Sequence, residues 1–158
     1  MSAKQKFGFL FTFAIISLSL LVPGSAPAAG IPDQIKIGYT YAATGPIAPG
    51  GMMSYRGLQL AMEARKTVLG KPVKVVVVDN KSDKSEGALS ASRLIDQEKV
   101  VAILGALSSS VTIAAAEVAE KAHVPLLSPT ATNPLVTQGR KYIFRASFVD
   151  PFAAEVAA

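Results

Sequence analysis

The residues able to do chemistry fall in two hydroxyl-bearing runs. Ser108-Ser109-Ser110 comes shortly after the apolar run 100–104, and Leu127-Ser128-Pro129-Thr130-Ala131-Thr132-Asn133-Pro134 closes the apolar run 124–127. Both apolar runs predict short buried strands, and in an open α/β sheet ligands bind beyond the carboxyl ends of the strands. A helix starting near Ser109 leaves its first N–H groups without intrahelical partners and concentrates about half a positive charge at that end. Ser108 and Ser109 are therefore candidate contacts for a carboxylate, each charge-assisted hydrogen bond contributing ~1.5–3 kcal/mol. Helix capping alone would explain one serine; three in succession at a strand end point to a ligand as well. In the second run, two prolines stiffen the loop and lower the entropic cost of holding a molecule. Carbonyls around Thr130 could accept from an ammonium, and the Thr132 hydroxyl could donate or accept, although these hydroxyls could instead turn onto their own backbone. Such groups suit recognition of a small anionic or zwitterionic solute rather than bond breaking.

A third loop, Ala43-Thr44-Gly45-Pro46 through Gly50-Gly51, follows the first predicted strand. It is not a GxGxxG turn, and no Gly-Lys-Ser/Thr follows to supply a phosphate-binding cation. Gly50 instead offers close backbone approach to a small ligand or a tight turn, and Tyr39, Tyr41 and Tyr55 could wall that region, with Tyr41 a candidate contact. Hydrolytic chemistry finds no support. The single histidine, His123, lies at the opposite end of its strand, where it complements a helix dipole. Gly105-Ala106-Leu107-Ser108 is not a Gly-x-Ser-x-Gly elbow. Clustered His, Cys or carboxylate ligands for a metal are missing, and Asp79 and Asp83 read as loop solvation and a helix cap. The sequence assigns no catalytic residue, metal or cofactor.

The elements that must position these loops follow from periodicity. Residues 35–41 predict strand one, 73–78 strand two, 100–104 strand three, 124–127 strand four and 142–146 strand five. Helices are predicted over 52–68, 84–98 with Asp83 as N-cap, and from the serines to about Ala122. Their inward stripes are Leu58, Ala61, Met62 and Arg65; then Ala88, Ala91, Leu94 and Ile95; then Val111, Ala114, Ala115, Val118 and Ala122. The order βαβαβαββ, with helical crossovers, implies an α/β fold with a doubly wound, mostly parallel, Rossmann-like sheet.

The first residues read as an export leader. Lys4 and Lys6 precede an uncharged apolar stretch over 7–22, Pro23-Gly24-Ser25 breaks it, and Ala26-Pro27-Ala28 offers small residues for cleavage after Ala28, or after Ala29. The stretch is shorter than the ~20 residues of a spanning helix. With no cysteine in the chain, neither a lipoprotein anchor nor a disulfide is possible, and a freely diffusing periplasmic protein is expected. The formal charge of +5 falls by the two leader lysines, and no basic run interleaved with aromatics argues for nucleic acid. The roughly 130 residues after the leader suit one domain. The organisation expected is a signal peptide over 1–28, a ligand-binding lobe over 29–149, and over 150–158 the start of a helix cut off before any stop signal, as in the first part of a longer protein.

Ile35-Lys36-Ile37-Gly38 with Thr44-Gly45-Pro46-Ile47-Ala48, the run from Gly105 to Ser110, the run from Leu127 to Pro134, and the tail Phe144-Arg145-Ala146-Ser147-Phe148-Val149-Asp150-Pro151-Phe152 together resemble the leucine/isoleucine/valine-binding protein family of type I periplasmic binding proteins. The resemblance implies a monomeric receptor that feeds the inner-membrane permease of an ABC importer. It implies two lobes that close on an amino acid, with branched-chain ones the leading case. Ser108 and the N–H groups beside it then hold the α-carboxylate. Thr130, through its backbone, and Thr132 complete the α-carboxylate and α-ammonium contacts, and residues 46–51 border the side-chain pocket. Two departures stand out: Ala153 occupies a position where family members often carry glutamine, and a first-lobe disulfide found in some relatives cannot form. The second lobe, with its aromatic lid and acidic partner, is absent from this sequence, so a half-site that binds weakly by itself is expected. The alternatives are a sensory receptor of the same fold for amides or small organic acids, and an exported α/β hydrolase whose catalytic groups lie elsewhere.

Overall fold

The computed structural model describes residues 33–158, so the leader expected over 1–28 lies outside the described residues. Along the chain come β1 (Ile35–Tyr41), α1 (Ala48–Ala64), β2 (Thr67–Val68), β3 (Lys71–Asp79), α2 (Lys84–Ser92), β4 (Ala102–Leu104), α3 (Ser109–Lys121), β5 (Leu126–Ser128), β6 (Ile143–Arg145) and α4 (Asp150–Ala157). The strands form one sheet in the order β2-β3-β1-β4-β5-β6. Every pairing from β3 to β6 is parallel, with Gly38 opposite Val76 and Ile103, and Leu127 opposite Leu104 and Phe144. The mostly parallel α/β sheet expected from the sequence is present.

Several boundaries differ from the periodicity, each for a local reason. Helix α1 begins at Ala48, with Pro49 in its first turn, and ends at Ala64 instead of residue 68. Thr67 and Val68 leave the helix to pair antiparallel with Pro72 and Lys71. The hairpin turns on Leu69 and Gly70, both at positive φ, so this connection is not a helical crossover. Asp83 caps α2 as expected, accepting from Glu86 N at 3.0 Å. The helix then widens to a π-type turn over Arg93–Gln97.

Alternation along β1 assigns the layers. Gly38 and Thr40 face α2: a side chain at position 38 would run into Leu94, and Thr40 Oγ1 lies 2.8 Å from Ser90 Oγ. Tyr39 faces α1, donating its hydroxyl proton to Ser54 Oγ at 2.7 Å. On the α2/α3 side the core is continuous, built from Ala91, Leu94, Ile103, Ala115, Ala119, Leu126 and Ile143. Buried positions in α3 are Val111, Thr112, Ala115, Ala116 and Ala119, so the stripe is rotated from the expected one and Ala122 is exposed. The alanines allow α3 and α2 to pack closely together. The other face is thinly covered. Gly51 is the one fully buried residue of α1, Ala61 and Arg65 are exposed, and Val77, Leu127 and Phe144 remain accessible. A shallow apolar groove of about 310 Å³ runs there between Tyr39, Leu58, Leu104 and Leu127.

Candidate functional site

The carboxyl ends of β4 and β5 lie side by side, and the two hydroxyl-bearing runs leave the sheet together. After Leu104 the chain turns at Gly105, whose φ is 114°. Any side chain there would collide with the Thr40 carbonyl, so the turn requires glycine. Ser108 is the N-cap of α3, extended at φ −89° and ψ 147°, and its hydroxyl makes no capping bond. Thr112 N donates to Ser108 O at 2.9 Å, and the Thr112 hydroxyl lies 2.8 Å from Ser108 O and 3.1 Å from Ala106 O. The cap residue is thus fixed by its carbonyl while its side chain stays uncommitted. The N–H groups of the first helical turn have no intrahelical acceptors.

The second run is tied to the first at three points. Ser128 Oγ lies 3.2 Å from Ala106 O and accepts from Ala131 N. Thr130 Oγ1 donates to Leu107 O at 2.7 Å, and Asn133 N donates to Ser109 Oγ at 3.3 Å. Thr132 accepts at its carbonyl from Asp150 N, 3.1 Å away, and among the described residues no group bonds its hydroxyl. The structure therefore brings Ser108, Ser109, Thr130 and Thr132 onto one sheet edge. Gly50, in the first turn of α1, joins them: a Cβ there would lie 2.9 Å from Leu107 Cδ2, so the first loop rests against the serine turn. Beside them a cavity of about 520 Å³ is lined by Lys84, Ser109, Ser110, Ile113 and Asn133.

Tyr41 ends β1, on the sheet face that α1 covers. Its ring stacks on Tyr55 at 5.0 Å and on Tyr39 at 5.3 Å, on the α1 side. Burial, then the neighbouring Tyr55 and Asp79, push its phenol above the ordinary tyrosine value, so it remains neutral.

Sequence pattern alone misses the role of Asp79. Its Oδ1 accepts from Ala43 N at 2.9 Å, Thr44 N at 3.3 Å and Lys81 N at 2.8 Å, and its Oδ2 from the Thr44 hydroxyl at 2.7 Å. Partial burial disfavours the charge, but the bonds from Thr44, Lys81 and Ala43 outweigh it and hold the carboxyl below its usual range. Asp79 thus shapes the first loop instead of merely solvating its own. An acid at the end of a strand paired in register with Tyr41 was the available signal. His123 is exposed at the opposite end of the sheet, its ring 5.0 Å from that of Tyr142. Among the described residues no group of three or more His, Cys, Asp or Glu could hold a metal.

The signature of the periplasmic binding protein family matches residues 34–158. This chain belongs to that family. The Leu/Ile/Val-binding protein homolog 7 of Brucella suis biovar 1 (strain 1330) is 35% identical over 146 residues, covering 90% of this chain and 35% of the relative. The leucine binding protein LivK of Thermotoga maritima MSB8 superposes with a TM-score of 0.76 at 45% identity, over 78% of this chain and 35% of that one. LivJ of Streptococcus pneumoniae, solved in complex with isoleucine, superposes with a TM-score of 0.71 at 40% identity, over 74% of this chain and 34% of that one. The chain therefore spans about a third of the length of the family members it matches.

Proposed function

We propose that this chain forms the first-lobe half of the binding site of a periplasmic receptor for amino acids, branched-chain ones foremost, that delivers its ligand to the permease of an ABC importer. The observation that carries the reading is the convergence of two uncommitted hydroxyls, Ser108 and Thr132, with an open helix N-terminus on one sheet edge. The α-carboxylate lies against Ser108, Ser109 and the adjacent N–H groups. The Thr132 side chain and the Thr130 carbonyl complete the grip on the zwitterionic head, and Gly50 and Tyr41 border the ligand's side chain. In this reading residues 1–28 direct export to the periplasm, 29–149 form the lobe, and 150–158 lead into a facing lobe. The receptor acts as a monomer, needs no cofactor and leaves its ligand chemically unchanged. The relatives named for leucine and for Leu/Ile/Val support the ligand class. One structural neighbour, from Rhodopseudomonas palustris BisB5, was solved with 3,4-dihydroxybenzoic acid at 29% identity, which makes a carboxylate on an aromatic ring the second reading. Calorimetry of the full-length protein with L-leucine, L-isoleucine and 4-hydroxybenzoate separates the two. Heat with the amino acids supports the first, heat with the benzoate alone supports the second, and heat with none overturns both.

A further inference from the structure

Residues 145–150, where the chain leaves the sheet, seize the Thr130–Asn133 loop from behind. Arg145 Nη1 lies 3.0 Å from Asn133 O and 3.4 Å from Ala131 O. Its Nη2 donates to Pro134 O at 3.1 Å and to Thr137 Oγ1 at 2.7 Å. Ser147 Oγ donates to Ala131 O at 2.9 Å, and Asp150 N to Thr132 O at 3.1 Å. Four consecutive carbonyls, 131 to 134, are thus occupied from one short segment. No ion pair between Arg145 and a carboxylate occurs among the described residues, so its donors serve the loop. Only a planar guanidinium presents a fork that can address several carbonyls at once.

The consequence follows from peptide geometry. In a trans peptide the C=O and the next N–H point in opposite directions. With the Ala131 carbonyl drawn back by Arg145 and Ser147, the Thr132 N–H is turned away from the exit segment. The next peptide bridges directly: its carbonyl, on Thr132, takes the Asp150 N–H, and its N–H, on Asn133, reaches Ser109 Oγ. The Thr130 carbonyl takes no part and is left for a ligand. We propose that Arg145, with Ser147 and the Asp150 N–H, is a clasp that sets the orientation of Thr132 and ties the binding loop to the segment through which the chain leaves the lobe. Arg145 is a positioning residue, and any movement of residues 145–150 is felt at Thr132. The inference rests on the amino-acid reading for its consequence in binding, but not for its geometry.

Two measurements on the full-length protein test it. Hydrogen exchange of the 128–137 peptide should quicken about tenfold in Arg145→Lys, while exchange across α2 and α3 stays at wild-type rates. Unchanged exchange in the loop overturns the clasp. Calorimetry with L-leucine as probe should show Arg145→Lys and Arg145→Met weakened alike, about tenfold, because lysine keeps the charge and loses the fork. Wild-type affinity in the lysine variant overturns the clasp in favour of a purely electrostatic role. Thr132→Ala combined with Arg145→Lys should bind no more weakly than Thr132→Ala alone, since one acts through the other; fully multiplicative losses overturn the coupling. If the arginine variants do not fold, Ser147→Ala, which removes one bond, should show the same loop-confined quickening, and its absence overturns the clasp. If wild-type protein ignores both leucine and isoleucine, the amino-acid reading fails, and the exchange measurement still decides the clasp.

Discussion

Thr132 is held entirely by its backbone: its carbonyl takes the Asp150 N–H, and the following N–H reaches Ser109. A threonine fixed this way presents its hydroxyl without a competing protein partner, which is what a ligand contact needs. Thr132→Ala in the full-length protein should therefore weaken L-leucine binding by ~1.5–3 kcal/mol, tenfold to a hundredfold or more, with little change in melting temperature. Unchanged affinity by calorimetry would remove Thr132 from the site. Asp79 makes a different prediction. Its folded-state carboxyl is held below the ordinary value of 3.8, so its contribution to stability is complete above that value and is lost as pH falls through the lower folded-state value. Acid unfolding of Asp79→Asn should be shallower than wild type below pH 3.8, and superimposable curves would contradict the role given to its hydrogen bonds. The hydroxyl runs were legible in the sequence because they sit beside apolar runs. Asp79 and Arg145 were not, because their partners lie across the fold: Asp79 acts on a loop 35 and 36 residues earlier, and Arg145 on carbonyls that no side-chain pattern marks.

Among the elements, β4 and β5 are only three residues each, yet they place both loops. Their precision comes from burial: Ile103 and Leu126 are fully enclosed between the sheet and α3, opposite each other in register. Ile103→Ala should cost about 2–5 kcal/mol by urea unfolding, and a loss below about 1 kcal/mol would mean the site stands on some other foundation. Existence and order of the main elements were readable from β-branched runs and helical spacing. Their ends were not. Thr67 and Val68 continue the helical spacing of α1, but their β-branched side chains suit the hairpin with Lys71 and Pro72. In α3 nearly every residue is small or apolar, so spacing alone gives a poor choice of face. Packing against α2 selects Ala116 and Ala119 over Ala114 and Ala122.

At the scale of the whole molecule, the chain covers about a third of the length of its relatives, and the site it carries is an open ledge. On the proposed reading, the ledge holds the head of a ligand, a facing wall encloses the rest, and ligand shifts an open–closed balance by binding the closed form better. The central claim, that the serine turn and the Thr130–Asn133 loop together grip the charged head of an amino acid, does not depend on that closure. Titration of L-leucine into ¹⁵N-labelled protein, followed amide by amide, tests it most directly. The largest shifts should fall at Ser109, Ser110 and Thr132 and saturate with a single dissociation constant. Shifts confined to other parts of the fold, or different saturation at the two loops, would contradict it.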